Sequence, residues 1–207
     1  MKIKLLLIAI HFFIASSILT GQNPGTSFCG PYTVSQPISL SGISNMTISD
    51  LDISNPNGDA IDLVNCDNIT IERCFLHNST GNGISLYNCT NITITHNRFD
   101  SVSTGVYALL SQQVKVAYND SKNALGPFPR GQLNQFNKVT GGGNQINFNV
   151  SENILGESYA EDAINIYQSS GLPNDPIQVY GNWIRGGGWG SPRGFKSIIA
   201  LPFARRI

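Results

Sequence analysis

The sequence predicts an all-β solenoid, a cylinder of stacked parallel strands. Three observations predict it. Asn68-Ile-Thr-Ile returns as Asn91-Ile-Thr-Ile, 23 residues later. Each such segment alternates apolar and polar residues, the period of a strand with one buried face. The stretches between them are short and rich in Asn, Gly and Ser, the residues of sharp turns. Repeats of about 22 to 23 residues built this way are the signature of a solenoid. A leucine-rich solenoid would carry a helical half. No helical periodicity is visible, so the repeat reads as a parallel β-helix.

The chain opens on a segment that stands outside the repeat. Lys2 and Lys4 precede an apolar run from Leu5 to Leu19, broken only by His11, Ser16 and Ser17. Thr20-Gly21-Gln22 follows with small residues. These are the three parts of a secretory signal peptide, assigned to residues 1–21. The run is shorter than the roughly 20 apolar residues that span a bilayer, so no membrane span is expected after its removal. Cys29 lies too far past the run to be a lipidated residue. Residues 22–31 then form an N-terminal extension, residues 32–190 the solenoid, and residues 191–207 an atypical tail. About 185 residues remain after cleavage, enough for one domain with a continuous core. The expected location is extracellular or periplasmic.

Thirteen Lys and Arg balance thirteen Asp and Glu. No basic stripe is visible, so nucleic acid is not expected as a partner. The four cysteines, Cys29, Cys66, Cys74 and Cys89, contain no CxxC pair and match no zinc pattern. Cys66 and Cys89 occupy the same place in successive repeats. Stacked neighbours at about 4.8 Å are within bonding range, but parallel side chains make the disulfide torsion awkward. Buried free thiols are the expectation.

The repeat runs in order along the chain. First strands begin at Asn45-Met-Thr-Ile-Ser, Asn68-Ile-Thr-Ile-Glu, Asn91-Ile-Thr-Ile-Thr and Gln113-Val-Lys-Val-Ala, followed by Phe148-Asn-Val-Ser and Ile177-Gln-Val-Tyr. Second strands are Ala60-Ile-Asp-Leu, Gly83-Ile-Ser-Leu, Gly105-Val-Tyr-Ala and Ala163-Ile-Asn-Ile. One turn position after each first strand holds Leu51, Cys74, Asn97, Asn119, Asn153 and Asn182. Asparagine tolerates a left-handed backbone, and its amide can bond to the next coil in a stacked ladder. Asn45, Asn68, Asn78, Asn88, Asn91, Asn119 and Asn149 each begin an N-x-S/T sequon. The repeat generates most of these, and they are read as structural.

With its N-I-T-I strands, asparagine ladder and G-N-G-I-S-L second strand, the chain resembles the right-handed parallel β-helix proteins of the pectate-lyase-like superfamily. The resemblance covers roughly Tyr32 to Arg185. It implies a single-stranded right-handed β-helix of about six coils. Its members include polysaccharide lyases, glycoside hydrolases, uronate epimerases, tailspikes and surface proteins without known activity, so it specifies fold far better than chemistry.

The spacing then breaks. Asn97 to Asn119 is 22 residues, but Asn119 to Asn153 is 34 and Asn153 to Asn182 is 29. The excess must leave the cylinder as loops, which in solenoids gather on one face. One insertion runs from Lys122 to Gln132 and holds Phe128 between Pro127 and Pro129; the other includes Gly156 to Asp162. Alignment of the second strands matches Asp162 to Asp59, with Arg130 about one coil below. Arg130, Asp162 and Glu161 are the candidate catalytic residues. Paired acids can serve as general acid and base, and the resemblance implies an alternative in which a cation holds a uronate carboxylate while a base removes the adjacent proton. Gln132, Tyr159, Phe128 and Lys138 are the candidate substrate-binding residues, since amides bond to hydroxyls and aromatic faces stack on sugar rings. The competing reading pairs Arg130 with Asp162 as a loop pin and has Phe128 and Tyr159 seal the loops.

Glu152, Asp162 and Asp175 are too scattered for the calcium site of the pectate lyases, so no metal and no cofactor is expected. His77 and His96 read as surface turn residues without acidic partners. The tail from Lys196 to Ile207 lacks Asn, Asp and Gly. It reads as a truncated or frame-shifted end that leaves an edge open to self-association, or as an apolar cap. The leading function is carbohydrate recognition, with polysaccharide lyase or related activity as its catalytic form and a polysaccharide as the partner. The rival is a non-catalytic β-helix for adhesion or surface structure.

Overall fold

In a computed structural model the described residues are 30–186. The expected signal peptide, Cys29 and the tail lie outside them. Nineteen strands, β1–β19 in chain order, form three parallel sheets. Sheet A contains β1 (Thr33–Ser35), β4 (Leu51–Ser54), β7 (Phe75–Ser79), β10 (Arg98–Val102), β13 (Asp120–Lys122), β16 (Val150–Glu152) and β19 (Trp183–Arg185). Sheet B contains β2 (Ile38–Ser41), β5 (Ile61–Val64), β8 (Ile84–Tyr87), β11 (Val106–Leu109), β14 (Asn134–Asn137) and β17 (Ile164–Tyr167). Sheet C contains β3 (Ser44–Ser49), β6 (Asp67–Glu72), β9 (Thr90–Thr95), β12 (Gln112–Ala117), β15 (Gln145–Asn147) and β18 (Gln178–Tyr180). Each coil contributes one strand to each sheet, in the order A, B, C. The result is a right-handed parallel β-helix of about six coils.

Identical residue types stack because every pairing is parallel and in register. Ile48, Ile71, Ile94, Val116, Ile146 and Val179 form one inward column. Ile61, Ile84, Val106, Asn134 and Ile164 form another. Burial of these columns removes apolar surface from water along the whole axis. Phe99 fills the interior of its coil at 0% exposure. A Cβ on Gly83 would meet its ring at 2.5 Å, so only glycine fits there.

Three expectations need correction. Each coil has three strands, not two, because a corner of only one or two residues, the first of them left-handed, separates sheet C from sheet A. Asp50, Arg73, His96, Tyr118 and Phe148 hold φ of 61°, 52°, 56°, 58° and 54° at that corner. One or two residues are too few to register as a turn in the sequence, so two strands read as one. Second, the first strand of the fifth coil is β15, Gln145–Asn147, not Phe148-Asn-Val-Ser. Phe148 is the corner and Val150 already belongs to β16. Third, Asn149 therefore takes the ladder place assigned to Asn153.

The corrected ladder has clear chemistry. At the corner, a backbone N–H and a C=O from the preceding coil lose their strand partners. Asn97 Oδ1 accepts from Cys74 N at 3.0 Å, Asn119 Oδ1 from Asn97 N at 2.9 Å, Asn149 Oδ1 from Asn119 N at 3.0 Å and Asn182 Oδ1 from Asn149 N at 2.9 Å. Each Nδ2 donates back to an inward-column carbonyl, of Ile71, Ile94, Val116 and Ile146 in turn. A carboxamide has both donor and acceptor and satisfies both groups at once. Asn153 serves a neighbouring corner, accepting from Ala124 N at 2.9 Å.

Cys66, Cys74 and Cys89 are buried free thiols, with no bridge between Cys66 and Cys89. Cys74 occupies the ladder position, with its Sγ 3.9 Å from Ile48 O. Asn68 Nδ2 bonds Asn45 Oδ1 at 2.7 Å, and Asn91 Nδ2 bonds Asn68 Oδ1 at 2.9 Å. These sequon asparagines thus form a surface ladder, while Asn119 and Asn149 are fully buried. Among the described residues no helix is long and apolar enough to cross a membrane.

Candidate functional site

Two corners widen in the fifth and sixth coils. Between sheets A and B, residues 123–133 and 153–163 replace the tight turns of earlier coils. Between sheets B and C, residues 138–144 and 168–177 do the same. The loop at 168–177 was not expected from the sequence. Both widened corners border sheet B, which makes its outward face the candidate site.

The two loops between sheets A and B are fastened to each other through their backbones. Tyr159 N donates to Ala124 O at 2.9 Å, and Glu161 N donates to Gly131 O at 3.1 Å. Gly131 sits at φ 110°, and a Cβ there would meet Glu161 N and Tyr159 O at 2.9 Å. Phe128 and Tyr159 do not seal the loops: they are 68% and 66% exposed. Their rings project from a braced base.

Below the loops, sheet B presents two outward columns. One is Ser39, Asp62, Ser85, Tyr107, Gln135 and Asn165; the other is Ser41, Val64, Tyr87, Leu109, Asn137 and Tyr167. Beside them, at the entrance to the strands, stand Asp59, Asn82, Thr104, Gln132 and Asp162.

The expected grouping of Arg130 with Asp162 is corrected here. The Arg130 guanidinium lies 4.0 Å over the Tyr107 ring and donates from Nη1 to Gln135 Oε1 at 3.0 Å. Asp162 Oδ2 instead accepts from Asn165 Nδ2 at 2.9 Å. The inserted loop carries Arg130 away from the strand entrance, and Gln132 occupies the place one coil below Asp162. Gln132 and Glu161 do meet, with Nε2 to Oε2 at 2.9 Å, and Thr104 Oγ1 donates to Gln132 Oε1 at 3.1 Å. Lys138 is an exposed turn residue at φ 55°, on the opposite border of sheet B from Arg130's loop.

Several site residues escaped the sequence reading: Tyr107, Gln135, Asn137, Asn165, Asp59 and Asp62. Asn137 Nδ2 donates to Tyr107 Oη at 3.1 Å and so orients the phenol beneath Arg130. Asp59 Oδ1 accepts from Asn82 N. Burial pushes the Asp59 carboxyl above its usual range, and the nearby Asp62 charge adds to the shift. The signal was present in the second strands, whose polar alternate positions form these columns once the register is known.

Charged groups are treated differently on the two faces. Around sheet A several are paired with one another, while Arg98 lies 4.9 Å over the Phe75 ring and Asp100 accepts from Ser101 Oγ. Arg73 holds Asp50 at 2.8 Å and also Glu72, Arg185 holds Glu152 at 2.9 Å, and His77 Nε2 meets Asp52 at 2.7 Å. The last contact corrects the expectation that His77 lacks an acidic partner. His96 stacks on Tyr118 with centroids 5.4 Å apart, and Tyr118 stacks on Phe148 at 5.2 Å. On sheet B, Arg130, Glu161, Asp162 and Asp59 each bind a neutral amide: Gln135, Gln132, Asn165 and the Asn82 N–H. Among the described residues no ion pair forms on that face. No group of His, Cys, Asp and Glu among them is arranged to hold a metal ion.

The match to a family agrees with this architecture. The right-handed β-helix region family matches residues 37–195. The chain belongs to that family. No curated protein matches it. Two solved structures of QnrB1, a plasmid-mediated fluoroquinolone resistance protein, align at 11% and 12% identity. They cover 69% and 67% of this chain and 93% and 92% of theirs, with a TM-score of 0.13 in both cases. Similarity that low carries no inference about function.

Proposed function

We propose that this is a secreted carbohydrate-recognising β-helix, and that its binding surface is the outward face of sheet B around Arg130 and Tyr107. The observation that carries this reading is the treatment of charge. Charges held by neutral amides are oriented yet remain uncompensated, which suits a polar ligand. The half-buried Asn165 amide, whose Nδ2 is held by Asp162, leaves its oxygen to accept from a hydroxyl. Tyr87 and Tyr167 are 44% and 53% exposed on the same face and offer apolar surface for sugar rings.

Binding is favoured over turnover because Arg130 and Asp162, the pair expected to act together, rest on different amides. The catalytic form of the proposal is a polysaccharide lyase, and the ultraviolet absorbance of unsaturated uronate would reveal it. The test of recognition is calorimetric titration with neutral, uronate-containing and amino-containing oligosaccharides. Tyr87→Ala and Tyr107→Ala are each expected to weaken binding about tenfold, a loss of about 1.4 kcal/mol, with the β-rich circular dichroism unchanged. A folded protein that binds none of them, with both variants altering only the melting temperature, would favour the adhesive or structural alternative. Export is tested by N-terminal sequencing of protein recovered outside the cytoplasm. A chain that keeps residues 1–21 there contradicts that part.

A further inference from the structure

We infer that the preferred ligand is a glycan bearing free amino groups rather than a polyuronate. This rests on the carbohydrate reading above and names the substrate class of the same face. Asp59 and Asp62 stand at the early end of sheet B, on or beside β5. Glu161 and Asp162 stand at the late end, beside β17. Arg130 lies between them, over Tyr107 of β11. Successive strands are about 4.8 Å apart, so each acidic end lies roughly 10 Å from the Tyr107 row.

A chain laid along the axis therefore meets carboxylates at both ends and one guanidinium in the middle. That guanidinium is already stacked on a ring and bonded to Gln135. A polyuronate would face like charge at two of three positions, which costs affinity. An amino sugar would find a carboxylate at each end and, between them on β8, the exposed Tyr87 ring, a surface that attracts ammonium groups. Asp59 lies in the same acidic end, its carboxyl held above its usual range by burial and, to a lesser degree, by the Asp62 charge. An ammonium group within reach would offset the repulsion from Asp62.

The test titrates the full chain with an unacetylated glucosamine tetramer, its fully N-acetylated counterpart and tetragalacturonate, at low salt and mildly acidic pH. The unacetylated tetramer is expected to bind at least about tenfold more tightly than either competitor. Asp62→Asn should weaken it roughly fivefold. Asp100→Asn makes the same charge change on sheet A and should leave binding unchanged. Tighter binding of tetragalacturonate, or equal binding of the acetylated tetramer, would overturn the inference. If that binding were lost in Tyr107→Ala, the carbohydrate reading would stand. Equal loss in Asp62→Asn and Asp100→Asn would mark diffuse attraction and overturn it too. Failure of all three to bind would remove both proposals.

Discussion

Asn134 is the residue that least fits its surroundings. It points into the core from β14, between Val106 below and Ile164 above, at 0% exposure. Neither its amide nitrogen nor its oxygen has a hydrogen-bond partner. A buried unsatisfied polar group costs about 1–3 kcal/mol. Asn134→Val extends the aliphatic column and should raise stability by an amount of that order, read by chemical denaturation. A fall in stability would mean that the amide is satisfied in solution. Asp59 offers a second test at this scale. Its folded pKa lies above the unfolded value, so the stability it contributes is present at low pH and is lost as pH rises through the folded pKa. Asp59→Asn keeps an oxygen for the Asn82 N–H and removes the charge. The variant should melt above the parent at neutral pH, and the gap should close below the usual carboxylate range. A gap independent of pH would assign the effect to packing.

At the scale of elements, the asparagine ladder holds the sharpest corner of each coil. Asn119 accepts from Asn97 N and donates to Ile94 O and Asn149 Oδ1. Asn119→Ala strands the buried Asn97 N–H and the Ile94 carbonyl together. The expected cost is about 3 kcal/mol, seen as a lower denaturation midpoint. A loss below about 0.5 kcal/mol would show that the ladder is ornamental. The strands of sheet C and most of sheet B were legible in the sequence, because their alternation has an obvious period and ends at Gly or Asn. Sheet A was not. Its strands follow sheet C after one or two residues, the first left-handed, so no run of turn residues marks the boundary. The ladder slipped to Asn153 for a related reason. Beyond Gly141–Gly143 the strand is only three residues long, and Phe148-Asn-Val-Ser imitates the alternation across a corner.

For the whole molecule, the stack makes one continuous core, and its thiols report on it. Burial pushes the Cys74 thiol up to about 11 and raises Cys89 as well. Native protein should leave Cys66, Cys74 and Cys89 unlabelled by a thiol reagent at neutral pH, and all three should react after denaturation. Peptide mapping checks this, and rapid native labelling of Cys74 would show that the coils part locally. The local sequence determined the solenoid, its strand period and the presence of loops after the fourth coil, because alternation and turn chemistry act over a few residues. It also brought Gln132 and Glu161 onto one edge. Only the tertiary structure decided that Arg130 lies on Tyr107 rather than on Asp162, and that the acids of sheet B rest on neutral amides. Such choices depend on stacking register between coils some 22 to 30 residues apart. There, one residue of turn moves a side chain from one column to the next.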